Sequence, residues 1–149
     1  MEIITYSNKD TQRLGMLLGK RAFPSMIIAL SGEVGAGKTE FAKGFTVGAN
    51  SDVATSPTFA IMNVYQGEKI SVYHFDFYRC GGEYEEFEEY IFGEGASLIE
   101  WSEYLDLPKD ILSINIEKLD NNSRKFIFTA GNKVYEDILK EVFREFTGG

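Results

Sequence analysis

Residues 27–39 read IIALSGEVGAGKT, so four apolar residues lead into a glycine-rich turn that ends on Lys38 and Thr39. This turn matches the pattern G-x-x-x-x-G-K-[ST] and lies between a predicted strand and a predicted helix. Its backbone N–H groups and the helix N-terminus would converge on an anion, to which Lys38 would add positive charge and Thr39 a hydroxyl for Mg2+. The pattern predicts a phosphate-binding loop rather than a turn that binds nothing. Its predicted nucleotide-binding residues are Glu33, Val34, Gly35, Ala36, Gly37, Lys38 and Thr39.

The composition fits one compact α/β domain over residues 1–149. Hydrophobic residues make up 44% of the chain, which is enough to bury a core without disulfides. The single cysteine, Cys80, excludes an internal disulfide and a multi-cysteine zinc site. The N-terminus lacks the pattern of an export signal, and no apolar run is long enough to cross a bilayer. We therefore expect a cytoplasmic protein with no membrane partner.

The formal net charge of -8 argues against direct binding to nucleic acid, because such binding depends on Lys and Arg neutralising phosphates. If RNA is involved, we expect a partner to hold it. The acidic run at 83–89 is most simply a solvated helix face, and a docking surface for a basic partner is the alternative.

The remaining pattern predicts a mixed, mostly parallel sheet with flanking helices and antiparallel hairpins. Glycine, proline and Asn-Asp clusters separate apolar runs of strand length from stretches with helical spacing. Strands are expected at 2–5, 27–30, 59–65, 70–76, 96–99 and in a hairpin of 111–116 and 126–128. Helices are expected at 8–20, 38–48, 83–89 and 133–146, with a short helical segment before Pro108.

Two carboxylates, Asp76 and Glu100, follow short apolar strands. Ligands in open α/β sheets bind at the carboxyl ends of strands, so we expect both acids near the phosphates and Mg2+. Either acid could instead be a solvated strand end. Thr58 is a third candidate, whose hydroxyl would reach the metal or the γ-phosphate in one nucleotide state only, as in switch segments. Its alternative is a turn residue that starts a strand.

Three further side chains have two interpretations each. His74 is more simply a packed imidazole than a catalytic base. Arg79 would act as an arginine finger in cis or pair with an acid of the following helix. Trp101 is a core or cleft aromatic by default, and a stacking residue otherwise.

Four motifs, in this order and over nearly the whole chain, resemble the TsaE family. Members of this family, also called the YjeE/YdiB type, are the small P-loop ATPases of bacterial tRNA threonylcarbamoyladenosine (t6A) synthesis. The motifs are Gly32-x-x-Gly35-Ala36-Gly37-Lys38-Thr39, Ser56-Pro57-Thr58-Phe59, His74-Phe75-Asp76-Phe77-Tyr78-Arg79 and Leu98-Ile99-Glu100-Trp101-Ser102-Glu103.

The resemblance implies a single P-loop NTPase domain with ATP in its cleft. Thr39 and Glu100 would be Mg2+ ligands, and Asp76 would be required for hydrolysis, near the metal or on it. Lys38 and Thr58 would join the catalytic set. The resemblance also places Thr11, Trp101 and Arg124 near the nucleotide.

The partners implied are the TsaD and TsaB proteins, which carry out threonylcarbamoyl transfer while ATP hydrolysis resets the complex. Hydrolysis by the small ATPase alone would be slow, and tRNA would be met only through the complex. One departure from the family is Glu40, which stands where a second Thr or Ser is common. Its charge would weaken nucleotide binding unless it points outward.

Three alternatives stay open. A nucleoside or small-molecule kinase shares the phosphate loop but needs an acceptor site and usually a lid with arginines. A GTPase would select guanine with Asn-Lys-x-Asp, whereas the nearest match, Asn132-Lys133-Val134-Tyr135, ends in tyrosine. A nucleotide-gated module would regulate a partner by its bound state without turnover.

Overall fold

The computed structural model describes residues 1–33, 35–51, 62–77, 87–100 and 106–148. These ranges contain both strands and helices. The strands are β1 (Glu2–Thr5), β2 (Ile27–Ser31), β3 (Met62–Tyr65), β4 (Val72–Asp76), β5 (Ala96–Glu100), β6 (Leu112–Lys118) and β7 (Arg124–Ala130). The helices are α1 (Asn8–Gly19), α2 (Lys38–Gly48), α3 (Glu88–Ile91) and α4 (Lys133–Gly148).

The described strands form one mixed sheet in the order β1-β7-β6-β2-β5-β4-β3. The central strands β6, β2, β5 and β4 are parallel, whereas β3 and β7 pair antiparallel with their neighbours. The predicted mixed sheet with flanking helices and hairpins is confirmed. Since the central strands are parallel, their carboxyl ends share one edge of the sheet, and the phosphate loop leaves β2 there.

The middle strands β2 and β5 are buried on both faces, which explains why their sequences are mostly apolar runs, whereas β6 alternates buried and exposed residues. On one face, Ile28 and Leu30 of β2 belong to a core that includes residues of α1, α2 and α4. On the other face, Ile27 and Ala29 belong to a smaller cluster that includes Ile91 of α3. None of the described helices combines the length and apolar character that crossing a membrane requires.

Most predicted elements are found within a few residues of their expected ends. The predicted strand at 59–65 is described only from Met62 onward, and the acidic run at 83–89 lies mostly outside the described residues. Of the helical segment expected before Pro108, residues 101–105 are also outside them, and 106–108 form no regular structure.

Helices α1 and α2 touch along a line of glycines that sequence analysis did not single out. A methyl group added to Gly44 would lie 1.9 Å from the carbonyl oxygen of Gln12, and one added to Gly15 would lie 2.3 Å from that of Phe41. Gly19 and Gly48 are equally crowded by backbone carbonyls, at 2.1 Å each. Backbone-to-backbone contact therefore fixes α1 against α2, the helix that follows the phosphate loop.

Replacing Gly44 with alanine should lower the free energy of unfolding by about 1–3 kcal/mol, because overpacking of this size forces backbone shifts. Urea unfolding followed by circular dichroism would measure the change. Gly148→Ala is the matched control, since a methyl group there meets nothing within 4 Å. Equal stability of Gly44→Ala and the wild type would contradict the close helix contact.

Candidate nucleotide-binding site

The phosphate loop takes a backbone conformation that favours glycine. Gly35 and Gly37 have φ angles of 83° and 107°, in the left-handed region that side chains disfavour. Gly37 is also the N-cap of α2, and it supplies no side-chain cap of the kind that Ser7 gives α1. A helix N-terminus of this kind is a ready binding site for an anion.

Lys38 lies in the first turn of α2 with only 8% of its surface exposed. Its Nζ donates a hydrogen bond to the carbonyl oxygen of Gly32 at 2.8 Å. The same Nζ lies 3.6 Å from Oε1 of Glu100 at the end of β5. The register pairs Leu30 of β2 with Glu100, so the neighbouring strands themselves bring the loop and this carboxylate together.

Glu100 is 7% exposed, and its second oxygen, Oε2, lies 2.5 Å from Nε2 of the fully buried His74. Burial by itself would raise the pKa of the Glu100 carboxyl. The hydrogen bond with His74 and the positive charge of Lys38 outweigh this effect and lower the pKa. Glu100 is therefore held as a carboxylate inside the protein.

The two strand-end acids lie side by side, as expected. Asp76 ends β4 and is the direct register partner of Glu100 in the parallel pair. Both line a cavity of about 340 Å³, together with Lys38 and Thr39. The geometry thus brings together the cation, the hydroxyl and both acids, while their roles in metal binding and catalysis stay predictions.

Arg124 also lines this cavity. It begins β7, paired with Thr5 and Lys118 at the carboxyl edge of the sheet. Its Nη2 donates to the carbonyl oxygen of Gly35 at 3.2 Å, and its Nη1 donates to that of Asp120 at 2.8 Å. Arg124 therefore contacts the phosphate loop, and its expected place near the nucleotide stays a prediction.

Thr11 does not line the cavity. It is buried, and its hydroxyl lies 2.7 Å from that of Thr5, so it fastens α1 to β1. Asn8, in the first turn of α1, lines the cavity instead. The sequence around Asn8 indicated only the start of a predicted helix, and Ser7 caps this helix by accepting a hydrogen bond from the backbone N–H of Asp10.

Glu40 lines the cavity, but its carboxylate is bound by two neighbouring side chains, Gln12 and Lys43. Its Oε2 accepts a hydrogen bond from Nε2 of Gln12 at 2.5 Å, and its Oε1 pairs with Nζ of Lys43 at 3.3 Å. The charge expected to oppose phosphates is thus directed toward α1 and balanced by a lysine.

Four predicted residues cannot be placed. Val34, Thr58, Arg79 and Trp101 lie outside the described residues.

Comparison with known proteins gives the family. The model of the family described as "Threonylcarbamoyl adenosine biosynthesis protein TsaE" matches residues 5–126. The chain belongs to the TsaE family. It is 34% identical to the tRNA threonylcarbamoyladenosine biosynthesis protein TsaE of Bacillus subtilis over 145 residues, 94% of this chain and 92% of that one. It is 38% identical to the TsaE protein of Aquifex aeolicus, over 83% of this chain and 92% of that one.

The fold comparison agrees. The crystal structure of Bacillus subtilis YdiB superimposes with a TM-score of 0.81 at 32% identity, covering 97% of this chain and 95% of that one. The TsaE fold is that of P-loop nucleotide-binding proteins, as the phosphate loop predicted.

The residues present fit a magnesium nucleotide. Thr39, Asp76 and Glu100 offer only oxygen atoms, which Mg2+ prefers, and it usually takes one or two protein ligands besides phosphate and water. Within the described ranges, no group of three or more His, Cys, Asp and Glu side chains is arranged to hold a metal by itself. The phosphates of a bound nucleotide would supply further oxygen ligands for such a metal.

The lowered pKa of Glu100 gives a stability prediction with a definite sign. Because the pKa is lower in the folded state, ionised Glu100 stabilises the fold above its unfolded pKa of about 4.3, and that stability is lost as the pH falls through the folded pKa. Glu100→Gln should be less stable than the wild type at pH 7, with a gap that narrows below about pH 4.

Urea unfolding at a series of pH values measures this gap. Glu94→Gln is the control, since it removes an exposed carboxylate of the same type. A gap that stays constant or widens in acid would contradict the stabilised carboxylate.

Proposed function

We propose that this TsaE protein is a Mg2+-dependent ATPase that acts with the TsaD and TsaB proteins in the t6A modification of tRNA. The observation that carries the proposal is the placement of a buried cation, Lys38, and a buried carboxylate, Glu100, on one cavity behind a phosphate loop. Family membership supplies the pathway, because the related proteins are named for t6A biosynthesis.

Each residue has a role that its position supports. The loop N–H groups and Lys38 bind the β and γ phosphates, and Arg124 braces the loop through the carbonyl of Gly35. Thr39 and Glu100 hold Mg2+, which would neutralise charge on the transferring phosphoryl group when bound. Asp76, next to Glu100, supplies a second carboxylate for the attacking water or the metal.

We propose hydrolysis rather than transfer to a second substrate, because the basic residues of the chain form no evident cluster of the kind that a kinase lid uses. The cavity of about 340 Å³ that described residues line suits the phosphates and part of a nucleotide. The outcome of hydrolysis is then a change in how the protein binds its partners.

The charge of the chain supports an indirect relation to tRNA. With 23 acidic residues against 15 basic ones, the protein would repel a phosphate backbone. We propose that TsaD and TsaB hold the tRNA while the ATPase resets their complex, and that the ATPase alone turns over slowly.

Substitutions at the two buried charges should separate binding from hydrolysis. Lys38→Ala should abolish nucleotide binding, measured by titration calorimetry with ATP and Mg2+. Glu100→Ala should keep measurable binding but lower phosphate release by about 100-fold or more, as expected when a group that stabilises transition-state charge is removed. Lys140→Ala and Glu94→Ala are matched controls at exposed positions and should behave as the wild type.

Phosphate release should rise when TsaD and TsaB are both added. Release that does not depend on the pair would contradict the proposed partnership. Tight ATP binding with no release under any condition would instead indicate a nucleotide-gated module. Transfer of phosphate to nucleosides would indicate a kinase. Wild-type turnover by Glu100→Ala would overturn the role given to that residue.

A further inference from the structure

His74 is buried beside the site but was not expected to take part in it. It is the one histidine of the chain and has no exposed surface. On β4 it is paired in register with Leu98, two residues before Glu100 on β5. Side chains two residues apart on a strand share a face, so His74 lies below Glu100 on the same side of the sheet. This placement brings its Nε2 to 2.5 Å from Oε2 of Glu100.

The two buried charges of the site are close but do not form a tight pair. Nζ of Lys38 and Oε1 of Glu100 are 3.6 Å apart, whereas hydrogen bonds between ionised groups are about 2.7–2.9 Å long. Each group is held on its own side, Lys38 by the carbonyl of Gly32 at 2.8 Å and Glu100 by His74. Without the contact from His74, attraction between the two buried groups would draw Glu100 toward Lys38.

A closed pair would disable both groups. Lys38 would spend one charge-assisted hydrogen bond on Glu100 instead of on phosphate, and Oε1 of Glu100 would turn away from a metal. Metal sites regularly contain a further side chain that hydrogen-bonds a metal ligand and so keeps it correctly oriented.

We propose that His74 is a positioning residue for hydrolysis: it holds Oε2 of Glu100 so that Oε1 stays directed to the cavity and apart from Lys38. His74 itself touches no nucleotide and transfers no proton in this scheme. The catalytic consequence rests on the proposed ATPase function, whereas the hydrogen bond can be tested without it.

The bond has a defined donor. A carboxylate can only accept hydrogen bonds, so Nε2 of His74 must carry the proton between them. Nδ1, the other ring nitrogen, is buried with no hydrogen-bond partner among the described residues. As far as the described residues show, the imidazole is held through Nε2.

Nitrogen NMR of protein labelled with 15N-histidine tests this assignment directly, because a single imidazole leaves no ambiguity. We expect the signal of a protonated Nε2 in the nucleotide-free protein. An Nε2 without a proton would overturn the proposal, whatever the enzyme does.

Two conservative substitutions test the catalytic consequence. The amide nitrogen of Gln falls near the position of Nε2, whereas that of Asn falls near Nδ1. His74→Asn should lower kcat for phosphate release, with TsaD and TsaB present, by roughly 10–100-fold, the usual loss when a supporting partner of a metal ligand is removed. His74→Gln should restore most of this loss.

Ser97→Ala is the control for disturbing the buried strand pair. Ser97 lies next to Leu98 on β5, is fully buried, and its hydroxyl has no hydrogen-bond partner among the described residues. This variant should keep wild-type kcat.

Wild-type kcat in His74→Asn, or equal losses in His74→Asn and His74→Gln at equal unfolding free energy, would overturn the positioning role. If His74→Asn does not fold, the folded His74→Gln variant decides instead: a kcat well below that of the wild type would also overturn the positioning role. Absence of phosphate release by the wild type with its partners would instead count against the ATPase function, and the NMR result would still decide how His74 holds Glu100.

Discussion

Two opposite charges buried 3.6 Å apart, on Lys38 and Glu100, are the constraint around which this TsaE protein is built. An isolated charge in such a place costs several kcal/mol, and breaking a buried pair is strongly destabilising. Each charge here has a further partner, Gly32 or His74, that keeps it hydrogen-bonded without closing the pair. Both charged groups are therefore hydrogen-bonded without a ligand, and each can still turn to a ligand, Lys38 to a phosphate and Glu100 to a metal.

The fold supplies this arrangement through the order of its strands. The phosphate loop follows β2, Glu100 ends β5 beside it, and Asp76 ends β4 one strand further. Because these strands are parallel, their ends meet at one edge, the place where open α/β sheets bind ligands. The antiparallel strand β7 begins at the same edge and adds Arg124, and α1 adds Asn8 to the lining of the cavity.

Sequence could predict what depends on local pattern. Apolar runs that end on Asp76 and Glu100 indicated strands with acids at their tips, and the glycine turn before Lys38 indicated the loop between a strand and a helix. Contacts between distant segments could not be read in this way. The bond from His74 to Glu100 depends on the register of β4 against β5, and the burial of Thr11 depends on how α1 meets Thr5. The glycines of the α1–α2 contact suggest turns or helix ends until the partner helix is known.

A crystal structure with Mg2+ and a nonhydrolysable ATP analogue would show whether a nucleotide binds between these buried charges. We expect phosphate oxygens within hydrogen-bond distance of Nζ of Lys38, and a metal held by Thr39 with Glu100 or Asp76, directly or through water. An analogue bound away from the loop, or a Lys38–Glu100 pair closed to hydrogen-bond distance beside the bound phosphates, would contradict this expectation.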